Sequence, residues 1–168
     1  MTQNFLDYDY LKKFYKNYDI SSYIKKTKKG ISVFAKKDIK KGNVVAYYKF
    51  KTYNEDTIKK NTQYLMSVYT KSGNFSKKLV GNICTESLDI PKYGIPFWGY
   101  LLNEPSEDKK HNCFFNLNLS VNYKNRKNIK EGEFMVYKLV TNKDVKKDEE
   151  LCVCYGDLYE RNYKTSCS

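Results

Sequence analysis

The sequence has very few of the residues that most enzymes use for acid–base catalysis and metal binding. Its single histidine is His111, so a Ser-His-Asp triad or a histidine-based metal site has almost nothing to build on. The phosphate-cradling loops GxxxxGK(S/T) and GxGxxG are also missing. These absences disfavour a hydrolase or a kinase.

Long apolar segments are lacking as well. The chain contains no run of 18 apolar residues, and its first 30 residues have no apolar core of the kind found in signal peptides. We therefore expect a soluble, intracellular protein, nuclear or cytoplasmic, with no membrane contact.

The cysteines do not form a recognisable framework. They are five in number, an odd count, and no CxxC pair occurs among Cys84, Cys113, Cys152, Cys154 and Cys167. A zinc site would need four convergent ligands, usually in two close pairs. The pattern predicts reduced thiols, no disulfide framework and no bound metal.

Length and charge define what is present. A chain of 168 residues with 40% hydrophobic residues fits one domain with one core. Lys and Arg total 31 against 19 Asp and Glu, and residues 1–61 hold 15 of these bases and 6 of the acids. A basic surface attracts nucleic acid, chromatin or acidic peptides, although a general abundance of surface lysine explains the excess equally well.

Hydrophobic periodicity predicts a mostly β domain with short helices. Residues 2–18 have helical spacing, and core packing explains this as well as a membrane-surface helix does. Residues 71–74 are predicted to form a hairpin turn, and residues 91–112 an irregular segment. Strands are predicted in "ISVFA", "VVAYY", "QYLMSVY", "LVGNICTESLDI", "CFFNLNLSVNY", "FMVYKLVTNKDV" and "ELCVCY". So many short strands with little helix argue against a βαβ fold.

One internal repeat is visible. "FAKKDIKKGNVV" near the start and "VTNKDVKKDEEL" near the end both place a KD-(I/V)-KK turn between two strands.

Four elements occur in an order that resembles the SET-domain family of protein lysine methyltransferases. The segment "GISVFAKKDIKKG" resembles the family's first motif, and "DVKKDEELCVCYG" resembles its last, with Asp148 where glycine is usual. Between them lie Asn103 in "YLLNEP" and Asn112 in "HNCFF". The resemblance covers roughly residues 28–160 and is closest to short stand-alone members.

This resemblance implies the architecture. It indicates a β-clip-like SET fold of small sheets, in which a C-terminal pseudoknot passes the last motif under an earlier loop. Such threading is rare. The implied organisation is an N-terminal helical extension over residues 1–27, the SET domain over 28–160 and a C-terminal tail over 161–168.

The implied activity is transfer of a methyl group from S-adenosylmethionine to a lysine side chain. Only the free amine attacks a methyl sulfonium, and lysine has an ordinary pKa of about 10.4. A narrow apolar, aromatic channel disfavours the ammonium and aligns the amine, so no strong base is needed. By the resemblance Tyr155 is the catalytic tyrosine, and Tyr48, Tyr64 and Val153 belong to the lysine channel. Ordinary core or sheet positions are the alternative for these tyrosines.

The resemblance also assigns the cofactor contacts. The backbone of the first motif, an asparagine with its neighbour and a tail aromatic are expected to hold S-adenosylmethionine. The residues concerned are Gly30, Ile31, Ser32, Val33, Phe34, Asn103, Glu104, Asn112, Tyr155 and Tyr159. Glycine lets backbone approach a ligand closely, and asparagine offers both a donor and an acceptor. An ordinary turn role is the alternative for Asn103.

Several positions depart from the family pattern. Ser32 stands where the second glycine of GxG is usual, and Glu104 replaces the customary histidine. The cysteine-rich segment that binds zinc after many SET domains is missing, since only Cys167 follows the last motif. Another aromatic, from the tail or from the partner chain of a homodimer, is then expected to close the channel.

Three functional hypotheses follow. The first is a protein lysine methyltransferase acting on a protein or peptide lysine, with histone tails as the family's usual substrates. The alternative is a catalytically silent SET-like module that binds chromatin or a peptide through its basic surface. A plain nucleic-acid binder is the third, and for it the sequence offers lysine runs but no aromatic platform motif or recognition helix. The departures at Ser32 and Glu104 favour the alternative, whereas Tyr155 and Asn103 favour the enzyme.

Overall fold

A computed structural model describes residues 6–56, 65–69, 75–83, 88–116, 129–156 and 159–167. Within these ranges the chain forms one α-helix, seven strands and a short 3-10 helix at Gly99–Leu101. The predicted mostly β class with little helix is confirmed.

Helix α1 spans Tyr8–Tyr15. Asp7 caps it by accepting a hydrogen bond from the backbone N–H of Tyr10 at 2.9 Å. Its apolar side faces the core, where Leu11 and Tyr15 are buried. The Tyr15 hydroxyl donates to the carbonyl of Asp89 and accepts from the backbone N–H of Phe97. The helix predicted within residues 2–18 thus packs on the domain.

Strands β1 (Ser22–Thr27) and β2 (Gly30–Ala35) form a two-stranded antiparallel hairpin. Gly30 begins β2 with φ +96°, a conformation in which a side chain would be strained. The sequence predicted β2 but not β1. The second half of β1, Lys25 to Thr27, is exposed and carries no apolar alternation from which a strand can be recognised.

The main sheet has five antiparallel strands. They are β3 (Val44–Asn54), β4 (Leu65–Tyr69), β5 (Phe75–Ile83), β6 (Cys113–Asn116) and β7 (Phe134–Thr141), in the spatial order β4-β5-β3-β7-β6. β3 is the longest and lies at the centre, so it pairs with both β5 and β7. The hairpin turn predicted at 71–74 lies outside the described residues.

The core lies against β3 and β7, where runs of consecutive residues are buried, 45–48 on β3 and 135–137 and 139–141 on β7. Phe50 and Tyr137 pack with ring centroids 4.8 Å apart. Such aromatic pairs stabilise beyond the area they bury. The Tyr137 hydroxyl donates to the carbonyl of Ser67 on β4, which satisfies the polar end of the buried ring.

The two copies of the internal repeat pair with each other. Ile39 and Val145, the apolar residues of the two KD-(I/V)-KK turns, exchange backbone hydrogen bonds of 2.8 Å in both directions. Asp38 accepts from the N–H of Lys147, and Asp144 accepts from the N–H of Lys41. The repeat therefore builds a nearly symmetric pair of turns.

Residues 149–153, named here the crossing segment, are bonded to three separate parts of the chain. Isolated bridges pair Phe34 with Glu150, Asn103 with Cys152 and Cys113 with Val153. The first bridge is antiparallel and the other two are parallel, so the segment is held between β2 and the 103–113 region. This arrangement agrees with the C-terminal crossing that the sequence predicted.

The tail, defined here as residues 159–167, corrects one prediction. Cys154 and Cys167 form a disulfide, so the expectation that the cysteines are all reduced thiols is wrong. Gly156 has φ +105°, and the chain reverses after it and brings residue 167 back to residue 154. Cys113 and Cys152 are free and buried, and burial raises the pKa of each thiol to about 12.

No helix in the described ranges is long and apolar enough to cross a membrane.

Candidate active site

The start of β2 lies directly beside Asn103. The carboxamide nitrogen of Asn103 donates to the carbonyl of Ile31 at 3.0 Å and to the hydroxyl of Ser32 at 2.9 Å. A side chain added at Gly30 would meet nothing within 4 Å, so the space beside this glycine is open. The structure thus brings together the first motif and the asparagine that the sequence assigned to one site.

Ser32 is accommodated without strain. Its backbone is part of the β1–β2 ladder and has no positive φ, so this position does not require the glycine usual in the family. The buried hydroxyl lies 2.7 Å from the Thr27 hydroxyl and 2.9 Å from the Asn103 nitrogen. Ser32 therefore fixes the orientation of the Asn103 carboxamide.

A cavity of about 430 Å³ opens next to this motif, between the beginning of α1 and the β1–β2 hairpin. It is lined by Leu6, Asp7, Tyr8, Asp9, Lys26, Thr27, Gly30 and Ile31. Its size falls within the range of small-molecule sites, roughly 300 to 1,000 Å³. Charges of both signs border it, from Lys26 and from Asp7 and Asp9.

Tyr155 follows the crossing segment and is tied at both ends to residues 102–104. Its hydroxyl donates to the carbonyl of Leu102 at 2.7 Å, and its backbone N–H donates to the carboxylate of Glu104 at 3.0 Å. Its ring meets the Tyr159 ring edge-on, with centroids 4.8 Å apart. The predicted catalytic tyrosine is thus adjacent to Asn103 and to the predicted tail aromatic.

Asn112 has a different role in the structure. Its carboxamide nitrogen donates to the carbonyl of Glu150, and its carboxamide oxygen accepts from the N–H of Cys152, both at 2.8 Å. The buried side chain therefore uses its donor and its acceptor on the crossing segment. Cofactor contact by Asn112 stays a prediction.

Two of the three predicted channel residues, Tyr48 and Val153, are buried in the core. Tyr48 on β3 is buried, with its ring 5.9 Å from that of Phe115 and 6.2 Å from that of Phe50. Val153 is buried in the crossing segment. Tyr64 lies outside the described residues. The channel role of these three residues stays a prediction.

Glu104, at the position of the customary histidine, is completely buried and charged. Burial alone would raise the pKa of Glu104, but hydrogen bonds from Arg161, from the Tyr155 N–H and from Tyr163 outweigh burial and lower that pKa below its ordinary value. Arg161 approaches it with two nitrogens, each 2.8 Å from a carboxylate oxygen. Glu104 therefore remains ionised at neutral pH.

Most of this chain matches one family of known proteins. The family model described as "SET domain" matches residues 30–156, which is more than half of the sequence. The chain belongs to the SET-domain family. No curated protein matches it.

A solved structure agrees with this SET fold. The methyltransferase domain of human PR domain-containing protein 2 is 18% identical, with a TM-score of 0.53, and the match covers 90% of this chain and 87% of that one. At this identity the likeness to the human domain supports the fold alone. A candidate histone methyltransferase of Plasmodium falciparum is also similar, at 20% identity and a TM-score of 0.46, with 83% of this chain and 96% of that one covered.

Sequence reasoning missed several residues of this SET-domain site. Lys29 donates to the carbonyl of Glu104 at 3.0 Å and forms an ion pair with Glu150 at 3.1 Å. Arg161 and Tyr163 were assigned only to a tail. One signal was available: the chain has 29 lysines and only 2 arginines, and arginine is the cation suited to a planar, two-point contact with a carboxylate.

Glu104, Cys154 and Cys167 also place three potential ligand atoms within 4.8 Å of one another. The two sulfurs are bonded to each other and offer no thiolate. The carboxylate is occupied by Arg161 and Tyr163. The cluster therefore acts as a covalent and ionic tie between the tail and the domain.

Proposed function

We propose that this protein is an S-adenosylmethionine-dependent protein lysine methyltransferase. The observation that carries the proposal is the convergence of Gly30, Asn103 and Tyr155: Asn103 touches the start of β2, and the Tyr155 hydroxyl is bonded to the residue just before Asn103.

The residues present fit the cofactor. The open space at Gly30 would be reduced by any side chain, and the adjoining cavity carries the polar and charged groups that an amino-acid moiety requires. Gly30 and Ile31 would hold the cofactor by backbone contact, with Asn103 beside them and the aromatic faces of Tyr155 and Tyr159 near the tail. When bound, S-adenosylmethionine supplies the electrophilic methyl group.

The chain's own residues then act on the substrate lysine. A channel walled by the buried ring of Tyr48 and the partly buried ring of Phe115 would disfavour the ammonium form and favour the free amine, because burial without a counter-charge lowers the pKa of an amine. Tyr155 is fixed at its hydroxyl and at its backbone N–H, so it can orient the amine without serving as a base. The same ring faces can hold a methylated, cationic product.

The proposed substrate is a protein or peptide lysine, and a histone tail is the first candidate to assay. Radiolabelled methyl transfer from S-adenosylmethionine to histones and to a cell extract measures the activity. Tyr155→Phe removes the hydroxyl alone and is expected to lower kcat at least 100-fold, a typical effect for an orienting group. Tyr93→Phe is the matched control, because Tyr93 is 86% exposed on a turn and none of the contacts of Gly30, Asn103 or Tyr155 described above involves it.

Calorimetry with S-adenosylmethionine accompanies the assay. Cofactor binding without transfer to any lysine would contradict the proposed methyltransferase activity and would favour the alternative of a binding module. Equal transfer by the wild type and Tyr155→Phe would contradict the role given to Tyr155.

A binding module that recognises polyanions is the second candidate, and the paired turns favour it. Seven exposed lysines lie on these two turns, namely Lys36, Lys37, Lys40, Lys41, Lys143, Lys146 and Lys147. The carboxylates of Asp38 and Asp144 are bonded to backbone N–H groups of the opposite turn. Lys40 pairs with Asp144 at 3.6 Å. The seven lysines nevertheless outnumber the four carboxylates on or next to the two turns, Asp38, Asp144, Asp148 and Glu149, and a cationic surface attracts a nucleic-acid backbone.

Fluorescence anisotropy with a short labelled DNA duplex tests this surface. Replacing Lys40, Lys41, Lys146 and Lys147 by glutamine should weaken binding and flatten its salt dependence. The same number of exposed lysines changed elsewhere, at Lys12, Lys13, Lys16 and Lys164, provides the control. Equal losses in the two variants would show a diffuse charge effect and no defined surface.

A further inference from the structure

The carboxylate of Glu104 is the centre of a four-donor network. Arg161 Nε and Tyr163 Oη donate to Oε1 at 2.8 and 2.7 Å, and Arg161 Nη2 and the Tyr155 N–H donate to Oε2 at 2.8 and 3.0 Å. The Glu104 side chain is 0% exposed and that of Arg161 is 11% exposed. Both carboxylate oxygens therefore have two donors, as a buried charge requires.

These donors come from two different parts of the chain. Tyr155 follows the crossing segment, whereas Arg161 and Tyr163 belong to the tail. Arg161 also donates to the carbonyl of Gly156 at 3.1 Å, and its guanidinium lies 5.5 Å from the centre of the Tyr159 ring. Glu104 thus connects the backbone of Tyr155 to the tail, which carries Tyr159.

Further contacts fix the end of the tail over the same region. Thr165 donates its buried hydroxyl to the carbonyl of Pro105 at 2.6 Å, and Ser166 donates to the carbonyl of Lys109. The Cys154–Cys167 disulfide closes the loop. The tail is therefore attached on one side to the segment that follows Asn103 and on the other to the residue before Tyr155.

We infer that Glu104 is a positioning residue that aligns the Tyr155 backbone and, through Arg161 and Tyr163, holds residues 159–167 as a metal-free wall of the cofactor site. This rests on the proposed function. Tyr159, 47% exposed and packed on Tyr155, is the part of this wall that faces the cofactor. The contact requires arginine, since a lysine ammonium cannot bind both carboxylate oxygens in one plane while also reaching Gly156.

Amide hydrogen exchange tests the inference independently of activity. Glu104→Gln keeps the shape of the side chain but removes its charge. Arg161→Lys keeps the charge but removes the planar guanidinium that contacts both carboxylate oxygens. In both variants we expect exchange of the Tyr155 amide and of the tail amides to rise at least tenfold, with the urea midpoint of the domain nearly unchanged. Tyr163→Phe, which loses one of the four donors, should show a smaller rise.

Lys164→Gln is the control, because Lys164 lies in the same tail with its side chain 86% exposed. It should leave the exchange rates within twofold of the wild type. Should Glu104→Gln fail to fold, Arg161→Lys and Tyr163→Phe provide the same comparison from the outer side of the network. Unchanged exchange at Tyr155 and in the tail of the folded variants would overturn the inference.

Calorimetry with S-adenosylhomocysteine tests whether the position of the tail affects cofactor binding. Arg161→Lys is expected to raise the Kd at least tenfold, and in the transfer assay to raise KM for S-adenosylmethionine more than it lowers kcat. A Kd within twofold of the wild type, with exchange nevertheless increased, would show a purely structural tie and contradict the positioning role. If the wild type neither binds cofactor nor transfers methyl groups, the proposed function fails, whereas the exchange data still decide whether Glu104 orders Tyr155 and the tail.

Discussion

The two parts of the C-terminal region are held in different ways. The crossing segment, residues 149–153, is bonded through its backbone to β2, to Asn103 and to the 112–113 region, and its central residues are buried. The tail, residues 159–167, is exposed along much of its length and is attached by side chains to one buried carboxylate and two backbone carbonyls, and by one disulfide. The backbone ladder makes the crossing part of the fold, whereas a few side chains decide the position of the tail.

This difference separates stability from function. Breaking the crossing exposes buried backbone groups and should unfold the domain, because unpaired polar groups in the interior are costly. Breaking the tail removes side-chain contacts, including those to the buried Glu104, but leaves the backbone ladders intact. We therefore expect a smaller effect on the stability of the domain.

Asn112→Ala should have the largest effect. It leaves the carbonyl of Glu150 and the N–H of Cys152 without the partners that the carboxamide supplies, and the expected loss is about 3 kcal/mol of unfolding free energy. Urea denaturation measures it. Asn43→Ala, at an exposed asparagine, should change stability by less than about 0.5 kcal/mol. Equal, small effects of both variants would contradict the account of the crossing.

Removal of the disulfide comes next and should act on the tail alone. Cys167→Ser opens the Cys154–Cys167 loop, for which a loss of about 2 kcal/mol of local stability is typical. Cleavage after Lys164 by a lysine-specific protease should accelerate, while the urea midpoint moves much less than in Asn112→Ala. A reductant should have the same effect on the wild type and no further effect on the variant. An unchanged cleavage rate would mean that the Glu104 network holds the tail in place without a contribution from the disulfide.

The sequence predicted the crossing better than the tail, for physical reasons. Strands such as β2, β3 and β7 carry short, nearly continuous apolar stretches, and the motifs that contain Asn103 and Tyr155 occur in a recognisable order. The pairing of Glu104 with Arg161 joins residues 57 positions apart through a chain reversal at Gly156, which leaves no periodic signal. The disulfide depends on the same reversal, so the number and spacing of the cysteines could not reveal it.

Acid should release the tail before it affects the crossing. The pKa of Glu104 in the folded protein is below its ordinary value, so its contribution to stability is present above the ordinary glutamate pKa of about 4.3 and is lost as the pH falls through the folded value. Tail amide exchange, corrected for the intrinsic effect of pH, should therefore increase as the pH falls below about 4.3, while the 149–153 amides stay protected. Glu104→Gln removes the titrating group, so its tail exchange should show no such rise; a rise equal to that of the wild type would assign the effect to another acid.

We expect the smallest effect on stability at Asp148, the last residue of the second repeat turn, which lies directly before the crossing segment. Gly42 and Asp148 occupy equivalent positions of the two paired turns, and both have positive φ, +89° and +69°. Gly42→Ala meets no neighbouring atom, so its expected cost of about 1 kcal/mol comes from backbone strain. Asp148→Gly relieves similar strain but loses the hydrogen bond that Asp148 accepts from the Tyr23 hydroxyl at 2.8 Å, and we expect a net change within about 0.5 kcal/mol. Tyr23→Phe measures that hydrogen bond alone. If Asp148→Gly stabilises the protein by more than the relief of backbone strain explains, the interactions that hold the second repeat turn are weaker than those that hold the first.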